Sequence, residues 1–353
     1  MTGSALTFAG DMRVVCSAGF GTRIGLDLLA AAGIEPARSR IHFRAGEALD
    51  AVAQAAADPG DRLILQHAYP SEAWQSGRSW IDPALLRYLN NKANLAALAP
   101  AGHVPERRIV DRAAWFVQDE QSLPIGIKAV SDQSSGGGSA VTICRTAADL
   151  RAARTKFARC EKIVVEAVLD IVGNPCLHFA AISPDDVRYL GFADQDVAPD
   201  GTYRGNWIDL GAALPQAWID PALEVVRRAA AMGYCGFAGI DLAVTGDHRI
   251  YILDLNFRLN ASTAAVLFKD AIKDRRGTAV MHLRKLQGCA DGEHFAHELL
   301  PLVTGGDVLP LSFFDAAAAG YRDELPRAQA LVIGESREQV VATENDLAAR
   351  GIN

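Results

Sequence analysis

The sequence has no excess of positive charge: 35 Lys and Arg face 42 Asp and Glu, a formal net charge of -7. A general basic field able to hold a nucleic acid is therefore absent, and any polyanionic ligand has to be met by local cations. Cysteine is sparse and scattered. Cys16, Cys144, Cys160, Cys176, Cys235 and Cys289 form no CxxC pair and no zinc-site spacing, as expected of reduced thiols in a cytoplasmic protein. No apolar run approaches the ~18 residues of a membrane span. The opening MTGSALTFAGDMRVVC lacks a basic segment followed by an apolar one, so no secretory signal is expected. Internal repeats are missing, and the AAAA at 316–319 is too short to matter.

What is present is an ordinary globular composition over 353 residues, half of them hydrophobic, enough for two or three compact units. Residues 1–90 read as a small α/β unit. Strand MRVVC, turn SAGFG and helix TRIGLDLLAAAG come first, then strands near Ile41 and over DRLILQHAY around a helix from Glu47. Residues 91–165 read as an α+β module: helix NNKANLAALAPAG, strands PIGIKAV and AVTICR about the loop SDQSSGGGS, a helix entered at Thr146 with Asp149 behind it, and strand KIVVEAVLD. Residues 166–300 carry strands LHFAAIS and VRYLGFADQDV, a long helix ending LEVVRRAAAMGY, and the hairpin GFAGIDLAVTGDHRIYILDLNFRL with a turn at Thr245-Gly246-Asp247-His248. Residues 301–353 add strand AQALVIG and helix SREQVVATENDLAARG, a C-terminal α/β extension.

The hairpin carries the strongest chemistry. In RIYILDLNFRLNAST the polar residues Asp254, Asn256, Arg258 and Asn260 alternate with Leu253, Leu255, Phe257 and Leu259, a polar row backed by core. The turn brings Asp241 across to Asp254, and two neighbouring acids repel unless something positive sits between them. With the neutral oxygen of Asn256 they make the hard-oxygen set that Mg²⁺ prefers. A guanidinium beside such a site suits a phosphoryl group or an oxyanion; a cross-strand salt bridge of Arg258 is the plainer alternative.

Two further stretches point to a nucleotide. Lys128 ends a strand, and Ser134, Ser135, Gly136, Gly137, Gly138 and Ser139 follow, a loop whose amides can approach a phosphate closely; a flexible hairpin tip is the alternative. It is not a Walker loop, because no Lys-Ser/Thr follows the glycines. KIVVEAVLD offers a strand whose end at Glu166, Ala167 and Val168 could meet an adenine base.

Lys92, Lys128 with its glycine loop, Glu166, Asp241, then Asp254-x-Asn256-x-Arg258 occur in the order found in the ATP-grasp superfamily, which residues 92 to 268 resemble. The front unit resembles the Rossmann-like pre-ATP-grasp domain of carboxylate-amine ligases, and LGFADQDVAPDGTYRGNW and LNAST are similar to natural-product peptide ligases of the pheganomycin type. The resemblance implies a Rossmann-like domain followed by the two α+β lobes of an ATP-grasp fold. Lys92 and Lys128 would contact ATP phosphates, the Ser134–Ser139 loop would close over them, and Glu166 and Val168 would meet the adenine. Asp241, Asp254 and Asn256 would hold magnesium, two ions with Mn²⁺ able to substitute. Arg258, with Lys128, would act on the reacting centre. Gln195, Arg204, Asn206, Asn260 and Ser262 would face substrate. The family usually has Glu where this chain has Asp254, a shorter acid that bears on the two-metal geometry.

The implied reaction joins a small-molecule carboxylate to an amine, an amino acid or small peptide, through an acyl phosphate with release of ADP and phosphate. A homodimer in the cytoplasm is implied, with no nucleic acid or membrane partner. Two alternatives stay open: a carrier-protein thiol as acceptor, and a regulatory protein that binds ATP without chemistry. Other motifs carry less. SAGFGTRIG places its third glycine one position late for a dinucleotide fingerprint, so its glycines serve a tight turn. His294 and His297 lack a third metal ligand, and Trp207 and Trp218 read as core or pocket wall.

Overall fold

The computed structural model describes residues 2–58, 60–66, 78–117, 122–130, 141–198, 203–277, 279–321 and 323–353. Among them the strands form three sheets. In the front unit β1 (Val14–Ser17) and β2 (Arg40–Phe43) pair in parallel. Helix Arg23–Ala31 starts at Thr22, whose hydroxyl accepts from the Gly25 amide. The strand expected over DRLILQHAY is, in its described part, an isolated parallel bridge of Leu63 with Ser79. The turn SAGFG serves packing: the Asp315 amide donates to the Gly19 carbonyl at 2.9 Å. A Cβ on Gly19 would stand 2.4 Å from the Asp315 carbonyl oxygen, so only glycine permits this approach.

The second sheet runs β3–β6–β4–β5, all antiparallel, from β3 (Arg107–Asp111), β4 (Ile125–Ala129), β5 (Val141–Cys144) and β6 (Lys162–Ala167). Ile127, Ile163 and Val165 turn to one face and close a core with Trp115 and Phe157. Alternation then sends Lys128, Val164 and Glu166 to the other face. Helix Ala147–Lys156 opens on a capping box between Thr146 and Asp149, the start signal read in the sequence. NNKANLAALAPAG is less regular than expected: a 3₁₀ turn over Lys92–Asn94, then one helical turn, Leu95–Leu98.

The third sheet has nine strands. These are β7 (Ile171–Gly173), β8 (Pro175–Ser183), β9 (Asp186–Val197), β10 (Tyr203–Asp209), β11 (Gly236–Thr245), β12 (Ile250–Asn256), β13 (Val280–Gln287), β14 (Val308–Phe314) and β15 (Arg327–Gly334). Their order is β12–β11–β8–β9–β10–β13–β15–β14, with β7 on β11. It therefore runs unbroken from the hairpin to the strands beyond residue 301. Helix Gln216–Ala231 covers β8, β11 and β12 through Val225, Val226 and Ala229. Helix Thr263–Arg276 packs on β9, and its Ala264, Ala265 and Ile272 share one core with β13 and β15. The sheet curls until Gln329 of β15 donates its amide to the Ala261 carbonyl, just past the hairpin, at 2.8 Å.

The hairpin turns where expected, His248 taking a positive φ of 61°. β12 ends at Asn256, three residues before the expected limit at Leu259. The cause is competition for the backbone: the Phe257 amide donates to Asn90 Oδ1 at 3.0 Å, and the Leu259 amide to Gln66 Oε1 at 3.0 Å. The chain is thus drawn off the sheet toward the front of the molecule.

Candidate active site

A cleft of roughly 1180 Å³ lies between the β3–β6 sheet and the concave side of the nine-stranded sheet. A pocket of a few hundred Å³ holds one drug-sized ligand, so this one has room for a nucleotide and further small molecules. Lys92, Lys128, Glu166, Val168, Gln195, Asn206, Asp241, Asp254, Asn256, Arg258, Asn260 and Ser262 all line it. Arg204 does not: it sits half-exposed and pairs with Asp196 at 2.6 Å, beside a bulge between Tyr203 and Gly205 that breaks the strand's alternation. Ser134, Ser135, Gly136, Gly137 and Gly138 lie outside the described residues.

The hairpin register sets Asp241 directly opposite Asp254. Their environments differ. Burial first, then the Asp254 charge, push the Asp241 carboxyl up to about 6, against a hydrogen bond from the Cys176 thiol and the charges of Lys92 and Arg258. Burial also works against the Asp254 carboxylate, but Lys92, through charge and a hydrogen bond, with Lys128 and Arg258, holds it below the usual range. Lys92 Nζ lies 2.5 Å from Asp254 Oδ2, so an ammonium stands where a divalent cation would neutralise the pair. Asn256 donates its amide to Asp241 Oδ2 at 3.3 Å, which leaves its oxygen available. Two carboxylates and an amide oxygen fit Mg²⁺ in donor chemistry.

Arg258 donates from Nη1 to Asn90 Oδ1 at 3.1 Å. Its Nε is buried with no hydrogen-bond partner among the described residues. Burial pulls the guanidinium below its usual value against the opposing pull of Asp254 and Asp241, but arginine stays charged at physiological pH. The salt-bridge alternative is not what the geometry shows: no carboxylate pairs with Arg258 among the described residues. Arg258 lines the cleft, so an acceptor bound there can meet its guanidinium.

Glu166 was expected at the adenine, yet its side chain turns inward with the alternation of β6. Glu166 Oε1 lies 2.6 Å from Lys128 Nζ, and Arg107 Nη1 is 3.7 Å from Oε2. Lys128 also donates to the Leu253 carbonyl at 3.0 Å, and Arg107 to the Lys92 carbonyl at 2.7 Å. Arg107 escaped the sequence reading because PERRIVD looks like a charged surface stretch; only strand alternation in place shows which of its arginines turns inward. Strand β6 ends at Ala167, and Val168, Leu169 and Asp170 leave the sheet along the cleft wall.

Toward the far end Asn206 is fully buried and accepts from the Tyr203 hydroxyl at 2.5 Å. Gln195 accepts from Asn174 at 3.3 Å. Asn260 is less free than a row of alternating side chains suggests: its oxygen accepts from the Thr263 amide at 3.0 Å and its nitrogen donates to Cys176 Sγ at 3.3 Å. Cys176, another residue the sequence did not single out, thereby connects Asn260 to Asp241.

Residues 105–256 match the family model described as L-aspartate–L-methionine ligase, ATP grasp, and residues 1–87 match the N-terminal domain of the same ligase. The chain belongs to the ATP-grasp ligases. Solved structures share the fold of this ATP-grasp ligase along nearly its whole length. An ADP complex of N5-carboxyaminoimidazole ribonucleotide synthetase is 14% identical with a TM-score of 0.66, covering 98% of this chain and 93% of that one. An L-amino acid ligase from Bacillus licheniformis is 14% identical with a TM-score of 0.60, covering 97% and 98%. The biotin carboxylase domain of Hydrogenobacter thermophilus 2-oxoglutarate carboxylase, solved with MgADP and bicarbonate, is 13% identical with a TM-score of 0.62, covering 97% and 90%. As an ATP-grasp enzyme forming carbon–nitrogen bonds, the protein carries out an ATP-dependent ligation. No described helix is long and apolar enough to cross a membrane.

Proposed function

We propose that this ligase couples the carboxylate of L-aspartate to the amine of L-methionine through an acyl phosphate, releasing ADP and phosphate. The pair of amino acids comes from the name of the matched family, and one observation on the site carries the chemistry: the orphaned Nε of Arg258 beside opposed Asp241 and Asp254. A buried donor without a partner is costly unless an acceptor arrives, and a phosphoryl oxygen or a tetrahedral oxyanion is such an acceptor.

The difficulty of the reaction is repulsion between a carboxylate and the γ-phosphate it must attack. Magnesium held by Asp241, Asp254 and Asn256, as two ions with Mn²⁺ an effective substitute, would neutralise phosphate charge there. Lys92 leaves Asp254 for a phosphate oxygen, and Lys128 stays anchored by Glu166 within reach of another. Val168 lies where β6 opens to the adenine. Arg258 then holds the oxygen that gains charge as the aspartyl carboxylate attacks phosphorus, and again as the methionine nitrogen attacks the acyl carbon and phosphate departs. Gln195, Asn206, Asn260 and Ser262 hold the substrates.

The test is incubation with ATP, Mg²⁺, L-aspartate and L-methionine, reading nucleotide products by chromatography and the dipeptide by mass spectrometry. ADP with aspartyl-methionine is expected, with no carrier protein added. AMP with pyrophosphate overturns the mechanism, and a requirement for a carrier protein replaces the amine by a thiol.

A further inference from the structure

Three strands at the end of the nine-stranded sheet away from the hairpin place an unclaimed polar row on the cleft wall. In the pairing of β13, β15 and β14, Lys285 stands opposite Gln329 and Gln329 opposite Ser312, so all three share one face. One step along, Arg327 stands opposite Phe314 on that same face. Lys285, Ser312, Phe314, Arg327 and Gln329 all line the cleft.

The members of the row differ in what they have left to give. Gln329 is committed: its oxygen accepts from the Ser4 hydroxyl at 2.7 Å, and its nitrogen donates to Ala261. Arg327 is committed too, 2.6 Å from Glu324 and with its guanidinium 5.3 Å from the centre of the Phe314 ring. Among the described residues Lys285 has no ion pair, and neither its ammonium nor the Ser312 hydroxyl makes a hydrogen bond. Strands lie ~4.8 Å apart, so the backbones that carry these two donors stand ~10 Å apart on either side of Gln329, and the flexible stem of Lys285 can bring its ammonium in to share one carboxylate with the Ser312 hydroxyl. Beside them Phe314 packs on Phe20 of the front unit, ring centres 4.9 Å apart. One free cation, one free hydroxyl and an aromatic wall match a group carrying both a carboxylate and an apolar, polarizable side chain.

We infer that Lys285 and Ser312 hold the free carboxylate of the amine substrate while Phe314 and Phe20 take its side chain, so that this row selects the acceptor amino acid. The inference rests on the proposed ligation of two amino acids and extends it. It also gives the front unit a part in specificity, since Phe20 comes from there and the ligation chemistry does not.

Equilibrium titration calorimetry of the full chain with L-methionine and with L-methioninamide, which lacks the carboxylate, tests it without turnover. Methionine is expected to bind about tenfold tighter than the amide, the worth of ~1.4 kcal/mol. Lys285→Met should remove that preference by weakening methionine alone, Lys285→Arg should restore most of it, and Phe314→Ala should weaken both ligands. Equal binding of the two ligands to the unaltered enzyme, an unchanged preference in Lys285→Met, or no methionine binding overturns the inference. Should Lys285→Met fail to fold, the two-ligand comparison on the unaltered protein still decides. Dipeptide formation with no such preference sinks the subsite alone; the preference without dipeptide sinks the ligation reading alone.

Discussion

The two ends of the cleft treat their charges in opposite ways. At the deep end three cations are already paired, Lys92 on Asp254, Lys128 on Glu166, Arg107 on Glu166 and the Lys92 carbonyl, and Arg258 keeps a donor without a partner among the described residues. At the end formed by β13, β15 and β14, Lys285 is exposed and, among the described residues, unpaired. Depth explains the difference. Lys128 and Glu166 are almost wholly buried, and a buried ion without a counter-ion is expensive, whereas an exposed ammonium is kept charged by water. The deep end is thus largely balanced in advance, and under the proposed function it exchanges partners when a nucleotide enters, while the shallow end can hold an unpaired ammonium at no structural cost.

This contrast can be broken by mutation. Glu166→Ala strands two buried cations and should cost about 3–5 kcal/mol of stability, read by denaturant unfolding, while Lys285→Ala should stay within ~0.5 kcal/mol. A small effect of Glu166→Ala would mean that the deep end is not charge-balanced by this residue. Arg258→Ala should keep the fold and lower kcat by about 10²–10³, the worth of one preorganised donor at a developing oxyanion; near-normal kcat removes Arg258 from the reacting centre.

Smaller effects sharpen the same picture. A Cβ on Gly239 would stand 2.0 Å from Asn260 Nδ2 and 3.3 Å from Cys176 Sγ. Gly239→Ala should therefore cost about 1–3 kcal/mol by overpacking and displace the Asn260 amide, raising KM for the amino acids more than for ATP. His178 is fully buried between the Ser262 and Thr263 hydroxyls, and burial, helped by the Lys269 charge, takes its pKa from 6.5 to about 3. The unfolded chain binds a proton between those two values and the folded one does not, so stability falls as pH drops through this window. From pH 6 to 5 the unaltered protein should lose about 1 kcal/mol more than His178→Asn, measured by urea titration. Equal slopes would mean that the imidazole titrates alike in both states.

The hairpin was readable because its two signals are local: a turn with a fixed centre and side chains alternating by two. Those fix Asp241 against Asp254 without any knowledge of the rest of the chain. The end of β12 was not readable, since it depends on Asn90 and Gln66, far away in sequence, taking the amides of Phe257 and Leu259. Arg204 is expected at the substrate on the resemblance alone, and the bulge between Tyr203 and Gly205, with the pairing of Arg204 to Asp196, is a local feature that no resemblance carries. Glu166 was seen as a strand end rather than as the counter-ion of Lys128, a pairing that exists only once β4 and β6 lie side by side. The row of Lys285, Gln329 and Ser312 is the extreme case. Its members come from three strands joined by long connections, and nothing in LRKLQG, RAQALV or PLSFFD announces a common face.

Gln329 gives the molecule a shared fastening. One amide joins Ser4 in the first helix to Ala261, three residues after Arg258, from a strand that itself lines the cleft. Trimming the chain before residue 5 would therefore release one side of this fastening and be felt in the segment that follows Arg258.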